Sequence, residues 1–171
     1  SLQTLTLGAN DLSSVCSGML LEAMEQNSNS ITDLSLQNNN IGNEGASLLA
    51  RSLRNSTLPN LTRLYLSQCG IGGDDGFIAL VSALEQNTSL IHLDLRMYRG
   101  VSKRAYVALA ESLPEIKVLQ RINLTWRTGL ASSMPLLLAG LRENTSLFCF
   151  HVAGCAPSVP PTIEETERIA G

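Results

Sequence analysis

Aromatic side chains are scarce in this chain. Three Phe, three Tyr and one Trp make up 4% of 171 residues, although 44% is hydrophobic. A core of that kind rests on aligned Leu, Ile, Val and Ala rather than on a few large rings. A basic excess is also missing: 12 Lys and Arg face 15 Asp and Glu, for a net charge of −3. Phosphate contacts usually come with a cationic surplus, so nucleic acid is an unlikely partner. No apolar run approaches the ~18 residues that a membrane helix needs. Ser1 leads straight into an alternating segment, with no charged-then-apolar leader in front of it.

Cysteine and histidine are few and badly spaced for metal. Cys16, Cys69, Cys149 and Cys155 form no C-x-x-C pair, and the two histidines, His92 and His151, do not complete a zinc pattern. A phosphate-cradling G-x-x-x-x-G-K-S/T stretch is absent. Neither a cofactor, a metal nor a small-molecule substrate is expected. Cys149 and His151 stand two apart, as do His92 and Asp94. A nucleophile needs a base in hydrogen-bond reach and a third group to orient it. Side chains two apart on one strand stand roughly parallel, so no enzyme is expected here.

What the sequence does have is periodicity. The stretch Leu61-Thr-Arg-Leu-Tyr-Leu-Ser-Gln-Cys-Gly-Ile71 sets Leu64 and Leu66 two apart, which is strand spacing. The strand is expected within Thr62 to Ser67, ended by Gly70, Gly72 and Gly73. Phe77, Leu80, Val81 and Leu84 then fall on one face of a helix. One strand and one helix cannot close a core, so the unit needs copies of itself. The same opening recurs at Leu2, Ile31, Leu61, Leu90, Leu119 and Leu147, at intervals of 29, 30, 29, 29 and 28 residues. The helix half recurs too, as Ser17-Leu20-Leu21-Met24, Ala46-Leu49-Ala50-Leu53, Tyr106-Leu109-Ala110-Leu113 and Met134-Leu137-Leu138-Leu141. A fixed period of this size is the mark of a stacked array.

The pattern carried by Leu2-Leu5-Leu7-Asn10-Leu12, Ile31-Leu34-Leu36-Asn39-Ile41 and Leu61-Leu64-Leu66-Cys69-Ile71 resembles the leucine-rich repeat family. Leu90-Leu93-Leu95, Leu119-Ile122-Leu124 and Leu147-Phe150-Val152-Cys155 continue it. Within that family it is most similar to the long, ribonuclease-inhibitor-like subtype, as in NOD-like receptors, the Ran GTPase-activating protein and tropomodulin. The resemblance implies an α/β solenoid: a horseshoe arc with parallel strands on the concave face and helices on the convex face. It also implies that Cys69 and Cys155, standing where Asn10 and Asn39 stand, face inward and serve loop backbone groups. Reduced thiols there point to a cytoplasmic protein. Asn55, Asn60, Asn87, Asn123 and Asn144 head N-x-S/T triplets. Asn87-Thr-Ser-Leu90 and Asn144-Thr-Ser-Leu147 are one turn in two copies, so turn chemistry rather than a glycan explains them.

Residues 1–171 therefore read as one repeat domain of about six units. The first unit has no polar cap in front of it, although a terminal unit otherwise bares its stacking face. The expectation is a piece of a larger regulatory or sensor protein, or an end covered by a partner. In copy two the helix is expected from Glu44 to Arg54. Copies four and five depart from the pattern, with Tyr98 and Arg127 at the ladder position. Pro114 is expected to cut the fourth helix near Leu113. The fifth helix is expected to start at Ser132 or Ser133, which places Pro135 in its first turn. Residues 156–171 read as a Pro-rich turn and a short terminal helix, either a cap or a truncated repeat.

In each strand, the positions beside the inward leucines face the inner curve. The two ends of that surface are bland. The middle gathers Arg63, Tyr65, His92, Asp94, Arg96, Arg121 and Asn123, flanked by Met97 and Trp126. Tyr, Trp and Arg dominate binding hot spots. The leading expectation is a protein-interaction module that holds a protein partner on this concave patch. The plainer alternative is a solvated face whose charges pair with one another, for example Asp94 with Arg63 or Arg121. At the level of function, the alternative is a structural segment of a large assembly with no ligand of its own.

Overall fold

The computed structural model describes residues 2–27, 30–96, 101–126 and 128–154, and only the backbone of residues 27, 125–126, 128–131 and 153–154. Six strands alternate with five helices. They run β1 (Thr4–Thr6), α1 (Ser14–Asn27), β2 (Asp33–Ser35), α2 (Gly42–Arg54), β3 (Arg63–Tyr65) and α3 (Asp74–Leu84). Then come β4 (His92–Asp94), α4 (Lys103–Ser112), β5 (Arg121–Trp126), α5 (Thr128–Glu143) and β6 (Cys149–Gly154). All six strands form one open parallel sheet in the order of the chain. Each helix packs on the next. This is the arc of an α/β leucine-rich-repeat solenoid.

The core is a row repeated along the arc. Leu5, Leu34, Leu64, Leu93, Ile122 and Phe150 are direct partners across the sheet. Leu34, Leu64, Leu93 and Ile122 are wholly buried. Burying one such side chain contributes roughly 1.5–3 kcal/mol. The helices supply the other wall: Ala46, Leu49, Ala50 and Leu53 of α2 are buried, as are Phe77, Leu80, Val81 and Leu84 of α3. The Phe77 and Tyr106 rings, from equivalent positions of α3 and α4, meet edge-on at 6.3 Å.

The strands are shorter than the alternation suggests, because β3 stops at Tyr65. Ala9, Asn38 and Gln68 hold the same place in the first three copies, and all are left-handed, with φ of 58°, 55° and 55°. Such a residue breaks strand geometry, and its strain of about 1 kcal/mol persists only where neighbours enforce it. Asn39 is such a neighbour. Its Nδ2 donates to the Leu7 and Leu36 carbonyls, and its Oδ1 accepts from the N–H groups of Asn10 and Leu12. In the next copy the Cys69 thiol takes over part of this role and donates to the Leu36 carbonyl at 2.9 Å.

Polar clamps join neighbours on the outer side. Glu25 accepts from the hydroxyls of Ser52 and Thr57, and Glu85 accepts from that of Ser112. The return turns read as expected. Asn87 Nδ2 donates to the Leu53 carbonyl while its Oδ1 accepts from Ser89 and Leu90 N–H. Asn144 does the same with the carbonyls of Leu113 and Ile116 and the N–H groups of Ser146 and Leu147.

Several expectations need correction. Helix α2 begins at Gly42, two residues before Glu44. Helix α4 does stop where Pro114 was expected to cut it, at Ser112, with Pro114 in a 3-10 turn, Leu113–Glu115. Helix α5 starts at Thr128 rather than near Ser132, so Pro135 lies inside it. Proline removes one helical hydrogen bond but keeps a helical φ, and packing of α5 on α4 carries the helix through. Leu138 was expected to face inward and is 46% exposed. Its equivalents Leu21, Ala50 and Ala110 are covered by the following helix, and none follows α5 among the described residues. Tyr98, Arg127, Cys155 and the Pro-rich segment with its terminal helix lie outside the described residues.

Candidate functional site

The concave face inherits its order from the repeat interval. One row runs Thr4, Asp33, Arg63, His92, Arg121, Cys149, and the next runs Thr6, Ser35, Tyr65, Asp94, Asn123, His151. Neighbouring strands lie ~4.8 Å apart, so side chains in a row touch. The patch anticipated from sequence is therefore contiguous across β3, β4 and β5 for Arg63, Tyr65, His92, Asp94, Arg96, Arg121 and Asn123. Met97 lies outside the described residues. Trp126 is placed by its backbone, at the end of β5, and its side chain is not described.

The charges pair, but not as the sequence suggested. Asp94 meets neither Arg63 nor Arg121. The Arg63 Nε donates to Asp33, and the Thr32 hydroxyl steadies the other oxygen of that carboxylate at 2.6 Å. Asp94 is buried, at 2% exposure, and is held by its own strand. Arg96 grips it through Nε at 3.0 Å and Nη2 at 2.6 Å, and the Arg96 backbone N–H adds a third donor at 3.1 Å. The hydrogen bonds it donates to Asp94 hold the Arg96 guanidinium above its ordinary pKa.

His92 sits at the centre. Its ring leans on Tyr65, with centroids 5.2 Å apart at 60°, and its Nε2 is 3.3 Å from Asn123 Nδ2. Burial pushes the His92 pKa below its ordinary value, and the nearby Arg121 cation adds to the effect. The imidazole is thus neutral near pH 7. Arg121 is exposed, and its guanidinium lies over the Phe148 ring, 5.7 Å from the centroid. Among the described residues it makes no ion pair.

Three participants escaped the sequence reading. Asp33 belongs to what looked like a bland end, yet it anchors Arg63. Phe148 is 63% exposed and Ile91 is 37% exposed. They stand in one row with Gln120 between them: Gln120 N–H donates to the Ile91 carbonyl, and Phe148 N–H to that of Gln120. The equivalent residues elsewhere are Gln3, Thr32 and Thr62, so two apolar side chains in an otherwise polar row were the available signal.

No catalytic constellation forms on this open face among the described residues. Nor do three or more His, Cys, Asp or Glu side chains gather there to hold a metal. No helix among them is long and apolar enough to cross a membrane.

Comparison with known proteins adds the family. The description Leucine Rich repeat matches residues 27–50 and 57–80. The chain is 39% identical over 114 residues to NACHT, LRR and PYD domains-containing protein 5 of Mus musculus. The human protein of that name is 49% identical over 71 residues. Those matches take in 67% and 40% of this chain but 10% and 6% of the relatives. The solved structure of Leiomodin-1 Actin-Binding Site 2 superimposes with a TM-score of 0.66 over 81% of this chain and 80% of that one. At 19% identity that likeness is one of fold.

This is a leucine-rich-repeat protein of the ribonuclease-inhibitor-like type. The Asn39 and Cys69 bonds to loop carbonyls are the inward-facing ladder that the resemblance implied. The leucine-rich-repeat chain spans a tenth or less of the curated relatives it matches.

Proposed function

We propose that this leucine-rich-repeat chain binds a protein partner on its concave face, as one part of a larger regulatory or sensor protein. The contact set is Arg63, Tyr65, His92, Asp94, Arg96, Met97, Arg121, Asn123 and Trp126. One observation carries the reading: three adjacent strands put Tyr65, His92, Asn123 and Arg121 side by side on an open face. Aromatic and arginine side chains grouped in this way are typical binding anchors. A relative of which the matched stretch makes up only 10% supports the larger context. The chemistry is recognition without catalysis. The reduced interior of the cytoplasm suits Cys69, which is buried and free.

A second reading is a structural segment packed within an assembly. Leu2, Val15 and Met19 favour it, being 58–67% exposed in the first copy. The test is a pull-down from host lysate with the chain and with a Tyr65→Ala, Arg121→Ala double variant. Loss of a protein with the double variant supports the concave site. Unchanged capture overturns it, and self-association blocked by Met19→Asp favours the structural segment.

A further inference from the structure

Among the described residues, the concave face carries one uncompensated cation. Of its described arginines, Arg63 is neutralised by Asp33 and Arg96 by Asp94. Arg121 has no carboxylate beside it among the described residues. His92 adds no charge, because burial and Arg121 itself keep its imidazole neutral. The chain as a whole is acidic, at −3, so this positive spot is a local exception.

Apolar surface surrounds that cation. The Phe148 ring lies 5.7 Å from the Arg121 guanidinium. Ile91 is on the other side, two strands from Phe148, roughly 10 Å by strand spacing. A ring behind a guanidinium holds it in place and leaves its N–H edge free to donate. A planar fork of that kind is matched by a carboxylate, which accepts two parallel bonds. A nucleic-acid backbone is a poorer match, since it needs several cations in a line and the described residues of this face leave one unpaired.

We infer that Arg121, backed by Phe148 and flanked by Ile91, receives an Asp or Glu carboxylate of the protein partner, with an apolar side chain next to it in the partner's sequence. The inference rests on the concave-face reading and narrows it to an acidic, apolar-flanked peptide segment. The apolar neighbour covers Ile91 and Phe148, and the carboxylate forks onto Arg121.

The probe is a displayed library of random 12-residue peptides, panned in parallel on the 171-residue chain and on its Arg121→Gln variant. A 15-nucleotide oligouridine serves as a polyanion control. The expected winners carry Asp or Glu beside Leu, Ile, Phe or Trp. Resynthesised, such a peptide binds Arg121→Gln about tenfold more weakly, the loss of roughly one charge-assisted bond. Its Asp→Asn analogue shows the same loss on the unaltered chain. Winners without acidic bias, or equal affinity for Arg121→Gln, overturn the inference. If such neutral winners still lose affinity in Tyr65→Ala, the concave site stands and only its acid preference falls. If they bind both variants equally, both readings fall, as they do if no sequence enriches. Oligouridine binding tighter than the best peptide overturns the inference in favour of a polyanion.

Discussion

The carboxamide oxygen of Asn39 accepts the backbone N–H of Asn10 at 3.0 Å, across 29 residues of sequence. The same side chain also bonds Leu12, Leu7 and Leu36, so one residue ties two copies together. Asn39→Ala strands a buried backbone group in its own copy and partly buried ones in the copy before it. The expected loss is roughly 2–3 kcal/mol of unfolding free energy, measured by urea denaturation. A loss below about 1 kcal/mol would show that water serves these groups equally well.

Cys69 gives a pH prediction with a fixed sign. Burial pushes its thiol up to about 12, from an ordinary value of 9.0. Below pH 9 the thiol is protonated in both folded and unfolded chains, and its contribution is complete. Between about 9 and about 12 the unfolded chain ionises first, so stability falls as pH rises. Urea midpoints at pH 8 and pH 10.5 are expected to drop less in Cys69→Ala than in the parent chain. Equal drops would mean that other groups carry the alkaline loss.

Arg96 and Arg121 look alike in sequence and should behave differently. Arg96→Ala leaves the buried Asp94 carboxylate without its main partner and costs about 1–3 kcal/mol. Arg121→Ala removes an exposed side chain and should stay within about 0.5 kcal/mol. Thermal unfolding of the two variants side by side checks this. Tests of the proposed binding on this face therefore belong at Arg121, because a loss at Arg96 would also report lost stability.

At Gly140 helix α5 lies close against the end of α4. A Cβ at that position would stand 2.4 Å from the Ala110 carbonyl oxygen and 3.1 Å from the Leu113 side chain. The first contact is backbone, so relief requires one helix to move. Gly140→Ala is expected to cost about 1–3 kcal/mol, read from a lowered denaturation midpoint. An unchanged midpoint would show that α5 slides freely on α4.

Counting alone recovered a good deal. An interval of 29 or 30 residues places Arg63, His92 and Arg121 in one row before any coordinate is known. The choice between neighbours did not follow, because a row offers each side chain two partners at equal spacing. Arg63 could have turned either way and turned to Asp33. Asp94 has its partner on its own strand, where spacing gives no hint. Phe148 went unnoticed because it precedes the strand positions taken as inward-facing. The early start of α5 was hidden by Pro135, whose usual meaning as a helix opener is overridden by the surface beneath it.

Strands β1 to β4 are three residues long, and nearly every side chain on the inner curve answers to one about thirty residues away. Spacing between the proposed contact groups is therefore digital. Deleting or duplicating the unit that carries His92 would move Arg121 relative to Arg63 by a single step of ~4.8 Å and leave the remaining joints unchanged in kind. A lineage of such chains could retune which partner it grips by altering its number of units, with no new side chain at all.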